Sequence, residues 1–124
     1  MADLINQEAE VQPLRITAGD DFVYTGLIKV DGSPVDISAW DIVSQIRDRE
    51  TFDLIDTLTI GSGITLLAQS GGTLGKYVCV VPASVTEVLR TRKCLMFDIE
   101  TTNSDGYKRT FLKVLLTAAQ DVTR

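Results

Sequence analysis

The chain has 124 residues, 44% of them hydrophobic and 23% charged, with a net charge of −5. That length fits one domain with one core, and the composition excludes global disorder. The acidic balance works against nucleic acid, no apolar run is long enough to span a membrane, and the absence of His removes Ser-His-Asp and Cys-His chemistry, the common zinc sites and the usual near-neutral base.

Residues 1–12, MADLINQEAEVQ, are polar with scattered apolar positions at Leu4, Ile5 and Val11. They read as an N-terminal arm ahead of a domain spanning 13–124. The segment lacks the apolar stretch of a secretion signal, so assembly in a cytoplasm is expected. LRITAG reads as a first strand. DFVYTGLIKV reads as a second, with Phe22, Tyr24, Ile28 and Val30 on one face and Gly26 as a bulge. In the corner between them Gly19 permits the turn. Asp20 and Asp21 are expected to bond the local backbone or face water, and a divalent-ion site with Asp31 is the alternative.

Asp31-Gly32 signals a tight turn, and SPVDIS continues the loop. WDIVSQIRDR alternates, with Trp40, Ile42 and Ile46 on one face and Asp41, Val43, Gln45 and Arg47 on the other. FDLIDTLTI repeats the pattern, with Leu54, Leu58 and Ile60 expected inward, until Gly61-Ser62-Gly63 breaks it. ITLLAQ, a Gly71-Gly72 turn and GKYVCVV follow, and Pro82 stops the last of these. In SVTEVLR, Ser84 and Glu87 stand at capping-box spacing, so one or two helical turns are expected, with Val85, Val88 and Leu89 on one side. CLMFDIETT should turn Leu95, Phe97 and Ile99 inward and Asp98 and Glu100 outward. NSDG is a hairpin turn, and KRTFLKVLLTAA is the last strand, with Leu112, Val114 and Leu116 toward the core.

Seven to eight short strands at near-regular spacing, with one short helix, imply an all-β fold: an antiparallel, immunoglobulin-like β-sandwich, with a small closed barrel as the alternative. Cys79 and Cys94 read as small buried hydrophobes, because Trp40 precedes both and the immunoglobulin bridge pattern is missing. TTNSDGYKRTFL fails as a calcium loop, since Thr101 and Leu112 stand where an acid and a Glu belong. SGGTLGKY fails as a phosphate loop, since Ser70 replaces the first Gly, Tyr77 replaces the Ser or Thr, and a strand follows. LRTRKC gathers Arg90, Arg92 and Lys93. These suit a helix C-terminus and a solvated loop, or contact with an acidic neighbouring subunit. No catalytic constellation emerges and no cofactor is implied, so an enzyme is not expected.

RITAGDDF, DGSPVDISAW, QIRDR and LMFDIETTNSDGYKRTFLKVLLTAAQDVTR, in that order, resemble the small β-sandwich modules of tailed-bacteriophage virion proteins, from Arg15 to the C-terminus. The resemblance implies a virion structural protein assembled in the host cytoplasm, most naturally a tail, baseplate or fibre-attachment component. Its partners would be other virion proteins and further copies of itself, with neither nucleic acid nor membrane bound. Contact residues would then be Leu4, Ile5 and Val11 in the arm, Arg90, Arg92 and Lys93 in the basic loop, and Val122 and Arg124 at the C-terminus. Head decoration is one alternative. A host-glycan-binding module using Trp40, Tyr77 or Tyr107 is another.

Overall fold

The computed structural model describes residues 10–118, with backbone only for 10–14, 111 and 112. Eight strands form one hydrogen-bonded series that folds over on itself as a β-sandwich. In chain order they are β1 (Glu10–Ile16), β2 (Phe22–Leu27), β5 (Asp41–Asp48), β6 (Leu54–Ile60), β7 (Gly63–Leu66), β8 (Lys76–Val81), β9 (Cys94–Thr102) and β10 (Lys108–Ala118). A two-strand hairpin, β3 (Lys29–Val30) with β4 (Ser33–Pro34), continues from β2, and the one α-helix among the described residues, α1 (Ala83–Thr86), runs into a 3₁₀ turn over Glu87–Arg90. The spatial order is β1-β10-β9-β5-β6-β7-β8-β2, so β1 and β2 are its two edges.

The series folds at Gly61–Ser62. There Thr59 and Ile60 pair in parallel with Gly63 and Ile64, and Gly61 has φ +90°. This corner carries β7, β8 and β2 back over the other strands. Phe22 and Tyr24 of β2 consequently meet the Phe97 ring of β9 edge-on, each with centroids 6.1 Å apart. Ile42, Ile46, Leu95, Phe97, Ile99, Val114 and Leu116 from one layer and Ile64, Cys79 and Val81 from the other are wholly buried between them. The period-2 alternation of β5 and β9 is thus the core pattern the sequence announces.

Several expectations change. Strand β1 takes in Glu10, Val11 and Gln12, which the sequence reading assigned to the arm, and it runs parallel to β10 rather than antiparallel. Leu54 and Ile60 are exposed, at 50% and 39%. A register shift opposite Ile46/Arg47 skips Ile55 and puts Leu54 out of phase, while Ile60 sits at the corner. Gly26 is not a bulge: it pairs in register with Tyr77. Ser84 and Glu87 form no capping box, because Pro82 occupies the N-cap. The Ala83 N–H instead donates to Asp21 Oδ1 at 2.7 Å, from 62 residues away. Leu112 keeps its place in β10, but its side chain lies outside the described residues.

Candidate interaction surface

Strand β2 and the β3–β4 hairpin form one nearly continuous open edge. Its ends are fixed by bonds from distant loops. At the start, the Gly19 N–H donates to Thr86 Oγ1 at 3.0 Å, and the Thr86 hydroxyl donates to Asp20 O at 2.7 Å, so the GDD corner is docked on α1. Gly19 has φ +90°, which a residue with Cβ resists. At the far end Gln69 Oε1 accepts the Ile37 and Gly75 N–H groups, both at 3.0 Å, and Gln69 Nε2 donates to Leu67 O at 2.8 Å. That clamp ties the segment after β4 to the β7–β8 connection.

The direction of the edge's backbone groups follows from the ladder. Phe22 pairs with Val81, Tyr24 with Cys79 and Gly26 with Tyr77, antiparallel; one step on, the Ile28 N–H donates to Gly75 O at 2.9 Å. Hydrogen-bonded and non-hydrogen-bonded pairs alternate in such a ladder, so even-numbered residues bond β8. The N–H and C=O groups of Val23, Thr25 and Leu27 therefore point to the open side. The β3–β4 hairpin keeps this phase: the Val35 N–H donates back to Ile28 O at 3.4 Å, and Asp31 and Gly32, both at positive φ, make its turn.

The same odd-numbered residues put their side chains on the outer face, where Val23 is 58% and Leu27 43% exposed, beside exposed Val80. Val23 is the register partner of Val80, and Thr25 of Val78, so the patch is apolar and uncharged as far as Lys76 beside Leu27. Within β2 itself, Phe22–Leu27, this edge has no charge, Pro or bulge between the flanking Asp21 and Lys29, and such a stretch is a template for a further strand. The opposite edge, β1, carries Glu10, Pro13 and Arg15, the residue types that discourage such pairing.

The residues singled out from sequence fall elsewhere. Leu4, Ile5, Val122 and Arg124 lie outside the described residues, and Val11 is a β1 position paired with Lys113. The basic loop is partly engaged within the chain. Arg90 pairs with Glu87 and donates to Ala18 O at 3.2 Å. Arg92 Nη1 reaches Asp48 Oδ2 at 2.8 Å and Asp53 Oδ2 at 3.4 Å. Lys93 is exposed and has no ion pair among the described residues. Trp40 is half-buried against the core and Tyr77 is buried, so of the three aromatic candidates for a glycan platform only Tyr107 is exposed. Asp20, Asp21 and Asp31 do not converge on an ion: among the described residues no group of three or more His, Cys, Asp or Glu is placed to hold a metal.

Cys79 is buried and Cys94 half-buried, both as free thiols, and burial pushes the Cys79 thiol up to about 12. Asp48 is the one buried carboxylate among the described residues. Its Oδ1 accepts the Glu50 and Thr51 N–H groups at 2.7 and 3.0 Å. The Thr51 bond and the Arg92 guanidinium hold it below the usual carboxylate range. These contacts close the β5–β6 turn onto the segment before β9.

The edge residues Val23, Thr25, Leu27 and Lys29 were missed by sequence reasoning. Their signal was the run FVYTGL, uncharged and free of Pro. Whether such a run lies inside a sheet or at its border depends on topology.

No family model matches the chain, and no curated protein matches it. Among solved structures it is similar to CopC from Methylosinus trichosporium OB3b, at 10% identity and a TM-score of 0.48, over 90% of this chain and 87% of that one. The similarity is to CopC where the sequence resemblance implied a tail, baseplate or fibre component. The expectation of a virion structural role, with its head-decoration and host-glycan alternatives, is corrected accordingly. A likeness of that degree concerns the β-sandwich and brings no ligand to this chain.

Proposed function

We propose that the chain is a non-catalytic binding module that takes up a strand from another polypeptide along the open β2–β3 edge. The observation that supports this is the outward phase of Val23, Thr25 and Leu27, whose backbone groups have no strand partner among the described residues while their neighbours complete the β8 ladder. Strand addition of this kind draws affinity from main-chain bonds and specificity from alternate side chains. Here the outer-face valines and Leu27 would select apolar or β-branched partners. The net charge of −5 favours a polypeptide partner over nucleic acid.

The test is selection of random extended peptides on the immobilised chain, with Thr25→Pro as the control. Proline at position 25 removes the central outward donor and leaves the β8 ladder intact. Enriched peptides should alternate apolar and polar residues, protect the amides of Val23, Thr25 and Leu27 from exchange, and fail on Thr25→Pro. Peptides that protect another segment, or bind Thr25→Pro equally well, would contradict the reading.

A further inference from the structure

We infer that the strand taken up at this edge is β2 of a second copy of the chain, antiparallel and related by a two-fold axis through Thr25. The inference rests on the strand-addition reading and names its partner.

The outward-facing residues are Asp21, Val23, Thr25, Leu27 and Lys29, all exposed. A two-fold axis through Thr25 sets Thr25 against Thr25, Val23 against Leu27 of the second copy, and Asp21 against its Lys29. Among registers that keep the odd-numbered backbone groups facing each other, this one overlaps the whole stretch from Asp21 to Lys29. It is also the one that opposes a carboxylate to an ammonium, and it does so at both ends. Cross-strand pairs of opposite charge and of β-branched residues are the pairings that stabilise a sheet. Among the described residues neither charge is held in an ion pair: Lys29 has none, and Asp21 accepts the Ala83 N–H through Oδ1 and keeps Oδ2 for a partner. The product is a continuous six-stranded sheet, β7-β8-β2 joined to the same three strands of the second copy. Its outer face carries the Val23, Leu27 and Val80 patches side by side. Such an interface is isologous and closes on itself.

Register-specific cross-linking tests this, in a Cys94→Ser background so that only the introduced thiol is reactive. A hydrogen-bonded antiparallel pair has Cα atoms about 5.5 Å apart, within the range a disulfide spans. Thr25→Cys should therefore give a covalent dimer under mild oxidation. Val23→Cys should not, because its counterpart in the second copy is displaced by four residues. In sedimentation velocity, Lys29→Asp should weaken the dimer roughly tenfold. Mixing it with Asp21→Lys should restore association as a heterodimer, since both cross-strand pairs become attractive again. If Asp21→Lys loses α1 through its cap, the cross-linking pair and Lys29→Asp alone still decide.

A chain that sediments as a monomer at every concentration, or Thr25→Cys and Val23→Cys that cross-link equally, would overturn the inference. Selected peptides that still occupy the edge of such a monomer would leave strand addition standing with a different partner. An edge that accepts neither peptide nor second copy would overturn both.

Discussion

Gly26 in β2 and Tyr77 in β8 are register partners, and the Tyr77 ring occupies the space a side chain at position 26 would need. A Cβ there would lie 2.1 Å from Tyr77 Cζ and 2.2 Å from its hydroxyl oxygen. The ring is buried, and burial holds its hydroxyl far above the ordinary tyrosine range. Since β2 has β8 as its one strand neighbour among the described residues, this fit fixes its place and with it the phase of the open edge. Gly26→Ala should destabilise the fold by about 1–3 kcal/mol through overpacking. Pairing it with Tyr77→Leu should cost less than the two single losses combined. Urea denaturation of the four proteins measures both effects, and simple additivity would mean that the ring does not meet position 26.

Phe97 lies wholly buried under the rings of Phe22 and Tyr24, so Phe97→Ala should cost about 3–5 kcal/mol. Asp98, one residue on, is half-buried and accepts the Gln45 N–H at 3.2 Å. It is less idle than an outward acid on a regular strand, because its carboxylate bridges to β5 between the Val43–Glu100 and Ile46–Phe97 pairs. Asp98→Ala should cost about 1 kcal/mol. Thermal unfolding of both variants checks the order, and a larger loss from Asp98→Ala would place the wrong face inward.

Ser44 is fully buried, and its hydroxyl has no hydrogen-bond partner among the described residues. An unpaired buried hydroxyl costs free energy that an apolar side chain of similar size does not. Ser44→Ala should therefore raise the denaturation midpoint, by about 1 kcal/mol in unfolding free energy. A lower midpoint would mean that the hydroxyl is satisfied in solution.

Asp48 supplies a pH dependence with a definite sign. Its carboxyl is held below the ordinary range by the Thr51 N–H and by Arg92. A depressed carboxyl contributes stability that is fully present above its unfolded value, about pH 4, and is lost as pH falls through the folded value. Asp48→Asn should remove part of the acid limb of the stability curve and leave its shape above about pH 5 unchanged. In Arg92→Ala, carbon-detected titration should find the Asp48 carboxyl moved back toward the ordinary range. An unmoved titration would mean that the 2.8 Å contact with Arg92 is not populated in solution.

Alternation made the core strands legible. Ile42 and Ile46, and Leu95, Phe97 and Ile99, stand inward as their two-residue spacing requires, and Val85 and Leu89 plug the fold from the helical turns. What stayed hidden is non-local. The Asp21 cap on Ala83 joins residues far apart in sequence, so the local pattern suggested a Ser84–Glu87 box that Pro82 preempts. Gly26 carries no sign that its absent side chain makes room for Tyr77 rather than for a bulge. The parallel pairing of β1 with β10 closes nearly the whole chain and leaves no short-range trace. The edge was half legible, in that FVYTGL is visibly an unprotected strand. Its position at the border of the sheet follows only from the order of all eight strands.

The most direct measurement is residue-resolved amide exchange of Val23, Thr25 and Leu27 across a range of chain concentrations. At high dilution these three amides should exchange fast while Gly26 and Ile28, bonded to the β8 side, stay protected. As concentration rises, or as a selected peptide is added, the three should become protected together. Protection of all five amides at the highest dilution, or exchange of the three that neither concentration nor any peptide slows, would contradict the claim that this edge receives a strand.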